Sequence, residues 1–244
     1  MRYFLIALQF LTLLKIGKVN IVSDVDLAKS MAWFSVVGIL IGLILAGIYA
    51  VLIAYLPAIV VASIIVLLTA VFSGGLHLDA LADTFDGIAG GKDSNDILRI
   101  MHDSNIGAIG AAAVFISLLI KFSCVYSAQA PAKAIIVSSI FSRWAFVFSA
   151  KNWPAAPDSE GLGKKFISFV SIKELLWASL AMFAAVMYVF GIKGLILITI
   201  IVLSVWIFNN FIKNKIGGLT GDTLGAAGEL AECIALVIIS AMAK

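Results

Sequence analysis

The stretch SMAWFSVVGILIGLILAGIYAVLIAYL, from Ser30 to Leu56, decides the fold class. It runs for 27 residues without a charged side chain, and a helix needs only about 20 apolar residues to cross a bilayer. Only helices and closed barrels satisfy their backbone hydrogen bonds in lipid. A barrel strand would alternate apolar and polar residues, which this stretch does not do. The stretch therefore predicts a transmembrane α-helix.

Six further apolar runs follow along the chain, and we expect each of them to span the membrane. They are Ala58–Ser73, Ile106–Ala128, Ala134–Ala150, Glu174–Gly191, Gly194–Ile212 and Ala226–Ala243. The first of these is short for a span unless the residues from Gly74 to Leu76 extend it. The apolar stretch Tyr3–Ile16 is also short. We expect it to lie at the membrane interface or to re-enter the membrane, with an eighth span as the alternative.

The composition of the chain agrees with this interpretation. Of the 244 residues, 62% are hydrophobic and 13% are charged, which is about half the charged share of an average soluble domain. This excludes a disordered chain, and a content of two cysteines excludes a disulfide-stapled secreted domain. No dense basic stripe is present, so nucleic-acid binding is not expected. We predict an all-α, polytopic integral membrane helical bundle of about seven transmembrane helices plus a short N-terminal interfacial or re-entrant helix, in one domain covering residues 1–244.

The basic residues predict the orientation in the bilayer. With the predicted spans, 12 of the 17 Lys and Arg residues fall on one side and three on the other, while Lys121 and Arg143 lie inside spans. Basic loops favour the cytoplasm. All 14 Asp and Glu residues lie on that same side or in the adjoining part of a span. We therefore expect the active site to face the cytoplasm.

The first unusual cytoplasmic segment is GGLHLDALADTFDG, from Gly74 to Gly87. In a helix, Asp79, Asp83 and Asp86 stand at positions i, i+4 and i+7 and share one face. Like charges at this spacing repel each other, and a divalent cation would remove the repulsion. Oxygen ligands without a Cys/His cluster favour Mg²⁺ or Mn²⁺ over zinc. The alternative is a solvated acidic loop.

The second segment is HDSNIGAIG, from His102 to Gly110. Asp103 or Ser104 is expected to cap a helix that begins near Ile106. The start of a helix also attracts phosphate. One of the two residues is sufficient for the cap, which leaves Asp103 as a candidate ligand.

The third segment is GGLTGDTLG, from Gly217 to Gly225, and it repeats the Gly-Gly-Leu-x-x-Asp pattern of the first. Glycine lets a phosphate group approach the backbone N–H groups. Glu229 and Glu232 follow inside the last predicted span, where a charge costs about 2.5–3.5 kcal/mol. We expect these two side chains to face a polar site beside Asp222. The alternative is a buried salt bridge with Lys121 and Arg143.

A fourth segment, from Asp158 to Phe166, carries the adjacent pair Lys164 and Lys165. These lysines would hold phosphate as point charges, or form an ordinary basic loop beside anionic lipid.

Together the segments predict metal-assisted phosphoryl transfer at a membrane surface. The catalytic candidates are Asp83, Asp86, Asp103 and Arg143. The candidates for binding phosphate or substrate are Gly74, Gly75, His77, Ser104, Lys164, Lys165, Gly217, Gly218 and Thr220. The candidate Mg²⁺ ligands are Asp79, Asp83, Asp86, Asp222, Glu229 and Glu232.

Two other functions compete with this interpretation. A cation-coupled transporter would be expected to carry ionisable groups or broken helices near the bilayer midplane, accessible from both sides. In this chain the outer loops contain no acidic residue. A different membrane transferase, of the CDP-alcohol phosphotransferase type, would use similar aspartates and would differ in its acceptor.

At these segments the sequence resembles the cobalamin synthase family, the adenosylcobinamide-GDP ribazoletransferases. The resemblance covers nearly the whole chain and rests on strings in the family's order: Gly74-Gly75-Leu76-His77-Leu78-Asp79 with Asp83, Asp86 and Gly87; Met101 with Asp103-Ser104 and Gly107; Ser142-Arg143; Glu160-Gly161-Leu162-Gly163; and Gly217-Gly218 with Thr220-Gly221-Asp222-Thr223-Leu224-Gly225-Ala226 and Glu229. One departure is His102, which stands where the family carries an arginine.

The resemblance implies an Mg²⁺-dependent enzyme of a prokaryotic inner membrane. Such an enzyme joins adenosylcobinamide-GDP to α-ribazole or its 5′-phosphate and releases GMP, in the last assembly steps of vitamin B12. The expected partners are these substrates and the lipid bilayer. Whether the chain forms a homo-oligomer is left open.

Overall fold

The computed structural model describes residues 1–17, 22–157 and 161–242, and in these ranges it is built of twelve α-helices without a β-sheet. The helices are α1 (Arg2–Leu11), α2 (Asp24–Ser30), α3 (Phe34–Leu52), α4 (Ala58–Phe72), α5 (Leu76–Gly90), α6 (Ser94–Met101), α7 (Ala108–Ser127), α8 (Pro131–Asn152), α9 (Gly161–Phe169), α10 (Ile172–Phe190), α11 (Lys193–Ile216) and α12 (Gly221–Met242). A 3₁₀ turn at Met31–Trp33 joins α2 to α3. The all-α prediction is confirmed.

Six helical segments of the described residues are long and apolar enough to cross a membrane. They are Asp24–Leu52, Ala108–Ser127, Pro131–Asn152, Ile172–Phe190, Lys193–Ile216 and Gly221–Met242. A seventh span is obtained when α4 and α5 are taken together. The polytopic helical bundle is therefore confirmed. Ala243, the last residue of the final predicted span, lies outside the described residues.

The second predicted span does not continue straight through Gly74. Helix α4 ends at Phe72, and the axis of α5 is bent by 83° from that of α4. Gly74 and Gly75 occupy the turn with φ angles of +62° and +76°, a region that glycine enters without steric cost. The apolar run is thus divided into a short membrane helix and a second helix that starts in a new direction.

Helix α1 is too short to form the alternative eighth span. Its ten residues extend for about 15 Å at 1.5 Å per residue, against a hydrocarbon thickness of about 30 Å. Its Ala7, Leu8 and Leu11 are buried in the core. Arg2 Nη2 lies 2.8 Å from Asp26 Oδ2, which ties the start of α1 to α2.

Helices α8 and α12 form the centre of the bundle. Their spans are 78% and 67% buried, against 22–39% for the other four long spans. Glycines allow other backbones to approach α8: a Cβ atom on Gly42 of α3 would lie 2.6 Å from Ile136 Cα, and one on Gly228 of α12 would lie 2.8 Å from the Ser142 carbonyl oxygen. Small residues at helix contacts are typical of membrane bundles, where close packing drives association.

Candidate active site

A cavity of about 530 Å³ lies where several helix ends meet. Its lining residues come from α1, α5, α8, α9, α12 and the chain after α6: Phe10, Leu76, His77, His102, Phe146, Gly161, Leu162, Gly163, Phe166, Thr220, Gly221, Asp222 and Gly225. The segments after α4, α6 and α11 and the start of α9, which the sequence placed on one face of the membrane, therefore meet at one site.

Three helices begin at this cavity. Leu76 and His77 open α5, Gly161 opens α9, and Gly221 and Asp222 open α12. The first N–H groups of a helix have no partner within that helix, and its N-terminus carries a partial positive charge. The cavity thus suits an anionic group such as phosphate.

Close packing of glycine backbones brings α9 and α12 together at the cavity. A Cβ atom on Gly163 would collide with the backbone of Gly221, so a larger residue at this point would push the two helix starts apart. Thr220 lies beside them, and its Oγ1 accepts a hydrogen bond of 3.2 Å from the Thr223 N–H. The predicted substrate contact Thr220 thus lines the cavity, although its hydroxyl also caps α12.

The predicted phosphate-binding glycines do not line the cavity. Gly217 ends α11 with a φ angle of +78°. A Cβ atom on Gly218 would collide with the backbone of Ala155, beside an isolated parallel bridge that joins Ala155 to Leu219. Gly74 and Gly75 form the turn that starts α5. These glycines shape the loops that bring the helix starts together.

Three aspartates, of which Asp222 lines the cavity, are close enough for their charges to interact. Asp222 lines the cavity and is half-buried, as is Asp83, while Asp79 is exposed. The negative charges of Asp79, Asp222 and Asp86 all act on Asp83, and that of Asp79 also acts on Asp222. The predicted helix through these aspartates is confirmed, because α5 covers Leu76–Gly90. The sequence grouped Asp222 with these aspartates, and the electrostatic contact of Asp222 with Asp79 and Asp83 agrees with that grouping.

The carboxylates suit magnesium that is shared with a substrate. Among the described residues, no group of three or more His, Cys, Asp or Glu side chains is arranged to hold a metal ion by itself. Mg²⁺ is usually bound through one or two carboxylates, with substrate phosphates and water completing its shell. Asp222 at the cavity, with Asp79 and Asp83 near enough for their charges to interact, would supply such oxygen donors.

Asp86 has a different role from the other aspartates of α5. Its Oδ2 accepts a hydrogen bond from the Gly107 N–H at 2.6 Å, and its Oδ1 accepts one from the Gly110 N–H at 2.7 Å. Asp86 therefore caps α7 from a neighbouring helix. A Cβ atom on either glycine would collide with its carboxylate. The expected cap by Asp103 or Ser104 is wrong, because Asp86 already occupies these N–H groups.

Asp103 and Ser104 are both exposed in the loop before α7. Asp103 Oδ1 accepts hydrogen bonds from the Asn105 backbone N–H at 3.0 Å and from its side-chain amide at 2.7 Å. These two bonds hold the pKa of the Asp103 carboxyl below its ordinary value. Neither residue lines the cavity, but the adjacent His102 does.

The two glutamates of α12 form buried ion pairs. Glu229 Oε1 lies 2.5 Å from Lys121 Nζ and accepts a hydrogen bond of 2.8 Å from Ser117 Oγ. Glu232 Oε2 lies 3.3 Å from the same lysine nitrogen and 3.7 Å from Arg143 Nη1. The structure thus contains the salt bridge that the sequence left open as the alternative. Both glutamates are paired with buried cations, and neither lines the cavity.

Arg143 is also not placed for the catalytic role predicted for it. Its side chain is 1% exposed, and its Nε and Nη1 have no hydrogen-bond partner among the described residues. It borders a closed space with room for about one water molecule. His77 borders this space as well as the cavity, and its Nε2 is likewise buried without a hydrogen-bond partner. His77 thus separates the cavity from the buried charges.

The lysines of the fourth segment point away from the cavity lining. Lys164 and Lys165 are exposed on α9, and Lys165 Nζ lies 3.0 Å from Asp24 Oδ1 on α2. The cavity is lined instead by Gly161, Leu162 and Gly163 of the same helix. The preceding residues Asp158, Ser159 and Glu160 lie outside the described part of the chain.

Sequence reasoning missed the apolar residues of the cavity. Phe10, Leu76, Phe146, Leu162 and Phe166 line it, but single apolar residues carry no signal in a chain that is 62% hydrophobic. Leu162 was named only as part of the motif Glu160-Gly161-Leu162-Gly163, which resembles the cobalamin synthase family.

The comparison with known proteins assigns the family. Residues 3–240 match the family described as cobalamin-5-phosphate synthase (CobS). The chain belongs to the cobalamin-5-phosphate synthase family. The resemblance seen in the sequence and the expectation of a transferase enzyme are thereby confirmed.

Curated relatives cover nearly the full length of the chain. An adenosylcobinamide-GDP ribazoletransferase of Desulforamulus reducens is 34% identical over 238 residues, which are 96% of this chain and 94% of the relative. A protein of the same name from Clostridium botulinum is 35% identical over 242 residues, covering 98% and 97%. No solved structure matches the chain.

Proposed function

We propose that this protein transfers the adenosylcobinamide-phosphate group of adenosylcobinamide-GDP to α-ribazole or its 5′-phosphate. The products are adenosylcobalamin or its 5′-phosphate and GMP. The observation that carries the proposal is the start of α5, α9 and α12 at one cavity that also contains Asp222. Family membership supplies the identity of the substrates, and the relatives carry the name of this reaction.

The helix starts would bind the diphosphate of the donor. Their N–H groups and partial positive charges favour a doubly anionic group without any lysine. The glycines Gly161, Gly163 and Gly221 present backbone without side chains there, so phosphate oxygens are able to approach it closely. Such a phosphate site would not need the side chains of Lys164, Lys165 or Arg143.

One or two of the carboxylates of Asp79, Asp83 and Asp222 would hold Mg²⁺ together with the bound diphosphate. The ion, when bound, neutralises charge on the phosphates and on the leaving group. It would also relieve the mutual repulsion of these three carboxylates. Asp86 is assigned to the α7 cap instead.

The transfer itself requires a proton acceptor. A ribose hydroxyl oxygen of the acceptor attacks the cobinamide-side phosphorus, the bond from that phosphorus to the bridging oxygen breaks, and GMP leaves with that oxygen. The hydroxyl proton goes to a carboxylate, and Asp83 and Asp222 are the half-buried candidates beside the cavity.

We further propose that the cavity faces the cytoplasm of a prokaryotic cell and that the bundle lies in its inner membrane. The basic loops occur at the same end of the helices as the cavity segments. A site on that face would have direct access to nucleotide-linked substrates made in the cytoplasm.

The proposed function is tested by GMP release from purified protein. The protein is incubated with adenosylcobinamide-GDP, α-ribazole and Mg²⁺, with matched samples that lack the acceptor or contain EDTA. We expect GMP and adenosylcobalamin in equal amounts in the complete mixture only. Absence of GMP from the complete mixture, or release that does not depend on the acceptor, would contradict the proposal.

A further inference from the structure

Four phenylalanines pack together beside the cavity. Phe10 of α1, Phe34 of α3, Phe146 of α8 and Phe166 of α9 make six mutual ring contacts, with centroids 4.8–6.1 Å apart. Aromatic pairs at such distances and tilts stabilise one another beyond their burial alone. The group therefore forms a fixed element that joins four helices.

Three of these rings line the cavity together with two leucines. We call this set, Phe10, Leu76, Phe146, Leu162 and Phe166, the apolar wall. Phe146 and Phe166 are buried and form its back. Leu76 and Leu162 are 43% and 48% exposed at its front. Leu76 and Leu162 thus offer a ligand exposed apolar surface, which the buried rings support from behind.

The remaining side chains of the cavity are polar: His77, His102, Thr220 and Asp222. The cavity therefore combines apolar side chains, three of them rings in mutual contact, with polar side chains and helix starts. A ligand that fills it would need an anionic group at one end and an apolar group at the other. Ligand sites typically combine apolar lining with a few polar groups that fix orientation.

On the basis of the proposed function, we propose that the apolar wall binds the benzimidazole base of the ribazole acceptor. Guanine carries hydrogen-bonding atoms on most of its edges, and these would lose their partners against Phe and Leu side chains. The corrin ring is surrounded by amide side chains, to which the same objection applies. The dimethylbenzimidazole base is flat and mostly hydrocarbon, so burial against this wall costs it little.

This placement gives α1 a function. The helix is too short to span the bilayer, yet it supplies Phe10 to the wall. The ribose of the acceptor would then lie between the aromatic rings and the polar side chains, with its hydroxyl directed toward the donor phosphates.

The test compares two half-exposed apolar residues of α9. Leu162 lines the cavity and is 48% exposed, while Phe169 does not line it and is 50% exposed. We expect Leu162→Ser to raise KM for α-ribazole about tenfold, since a leucine contact with a ligand is worth about one such factor. KM for adenosylcobinamide-GDP should change less than about twofold. Phe169→Ser should leave both constants unchanged.

A second measurement does not depend on turnover. In isothermal titration the wild-type protein should bind α-ribazole, and an excess of guanosine should not compete with this binding. Leu162→Ser should weaken the binding of α-ribazole by the same factor of about ten. We also expect the binding enthalpy of α-ribazole to be less favourable in the variant, because binding of an apolar group to a preformed apolar site is frequently driven by enthalpy.

The outcomes separate the two proposals. In one outcome the wild type turns over while Leu162→Ser raises KM for adenosylcobinamide-GDP, and in another it turns over while the two serine variants have equal effects. Either result would overturn the apolar wall as the base site and leave the proposed function intact. Absence of GMP release by the wild type would overturn the proposed function. If α-ribazole also failed to bind in the titration, the assignment of the wall would fall with it.

Discussion

Lys121 on α7 and Glu229 on α12 form a buried ion pair, with Nζ and Oε1 2.5 Å apart and side chains that are 5% and 3% exposed. Glu232 and Arg143 extend this pair into a group of two acids and two bases. The opposite charges compensate each other, which explains how α12 carries two glutamates within a membrane span. The group links α7, α8 and α12 directly behind His77.

Removal of one partner of this pair should destabilise the fold. Lys121→Met leaves two buried carboxylates without their main cation, and an unpaired buried charge costs about 3–5 kcal/mol. We expect a loss of that size in the free energy of unfolding, measured in detergent with increasing denaturant. The double variant Lys121→Met/Glu229→Gln should recover a large part of it. Unchanged stability with a higher Mg²⁺ requirement in Glu229→Gln would show instead that the glutamate acts at the metal.

Asp86→Asn should affect helix capping and not the metal. An amide offers one acceptor oxygen where the carboxylate receives the N–H groups of both Gly107 and Gly110. Loss of a cap typically costs about 0.5–2 kcal/mol, so the melting temperature should fall. The Mg²⁺ concentration for half-maximal GMP release should stay within about twofold of the wild-type value, and a large increase would return Asp86 to the metal ligands.

Asp83→Asn and Asp222→Asn should abolish turnover in a folded protein. Each variant removes a negative oxygen from the proposed Mg²⁺ site, and loss of a general base alone costs about 10²–10⁴ in rate. Asp24→Asn is the matched control, because Asp24 is an exposed carboxylate that pairs with Lys165 away from the cavity lining. GMP release near the wild-type rate in both cavity variants would remove these aspartates from the mechanism.

Lys164→Ala and Lys165→Ala should have little effect on the donor. Neither side chain lines the cavity, and the exposed pair of Lys165 with Asp24 is worth at most about 1 kcal/mol. We expect KM for adenosylcobinamide-GDP to change less than about twofold. A tenfold rise in either variant would mean that these lysines contact phosphate after all.

The sequence alone predicted the membrane helices and an acidic helical segment after the second span. Long apolar runs predict membrane spans, and the spacing of Asp79 and Asp83 indicates a helical acidic face. The pairing of Glu229 with Lys121 joins residues that are more than a hundred positions apart. Local periodicity carries no information about such a contact, so the ion pair was left as an alternative.

The cap of α7 and the direction of the turn between α4 and α5 were not predicted, because both depend on contacts between distant parts of the chain. Asp86 caps a helix that begins 22 residues later, whereas a search for caps examines only the residues just before each helix. The two glycines at Gly74 and Gly75 marked a break in the chain, but the angle of 83° between α4 and α5 depends on packing against α7 and α12.

The most direct test of the proposed site is a structure of the protein with Mg²⁺ and a donor analogue in which a methylene group replaces the bridging oxygen of the diphosphate. We predict that the diphosphate lies against the starts of α5, α9 and α12, with the metal contacting at least one of Asp79, Asp83 and Asp222. A diphosphate bound at the opposite end of the bundle, or a metal held without any of these aspartates, would contradict it.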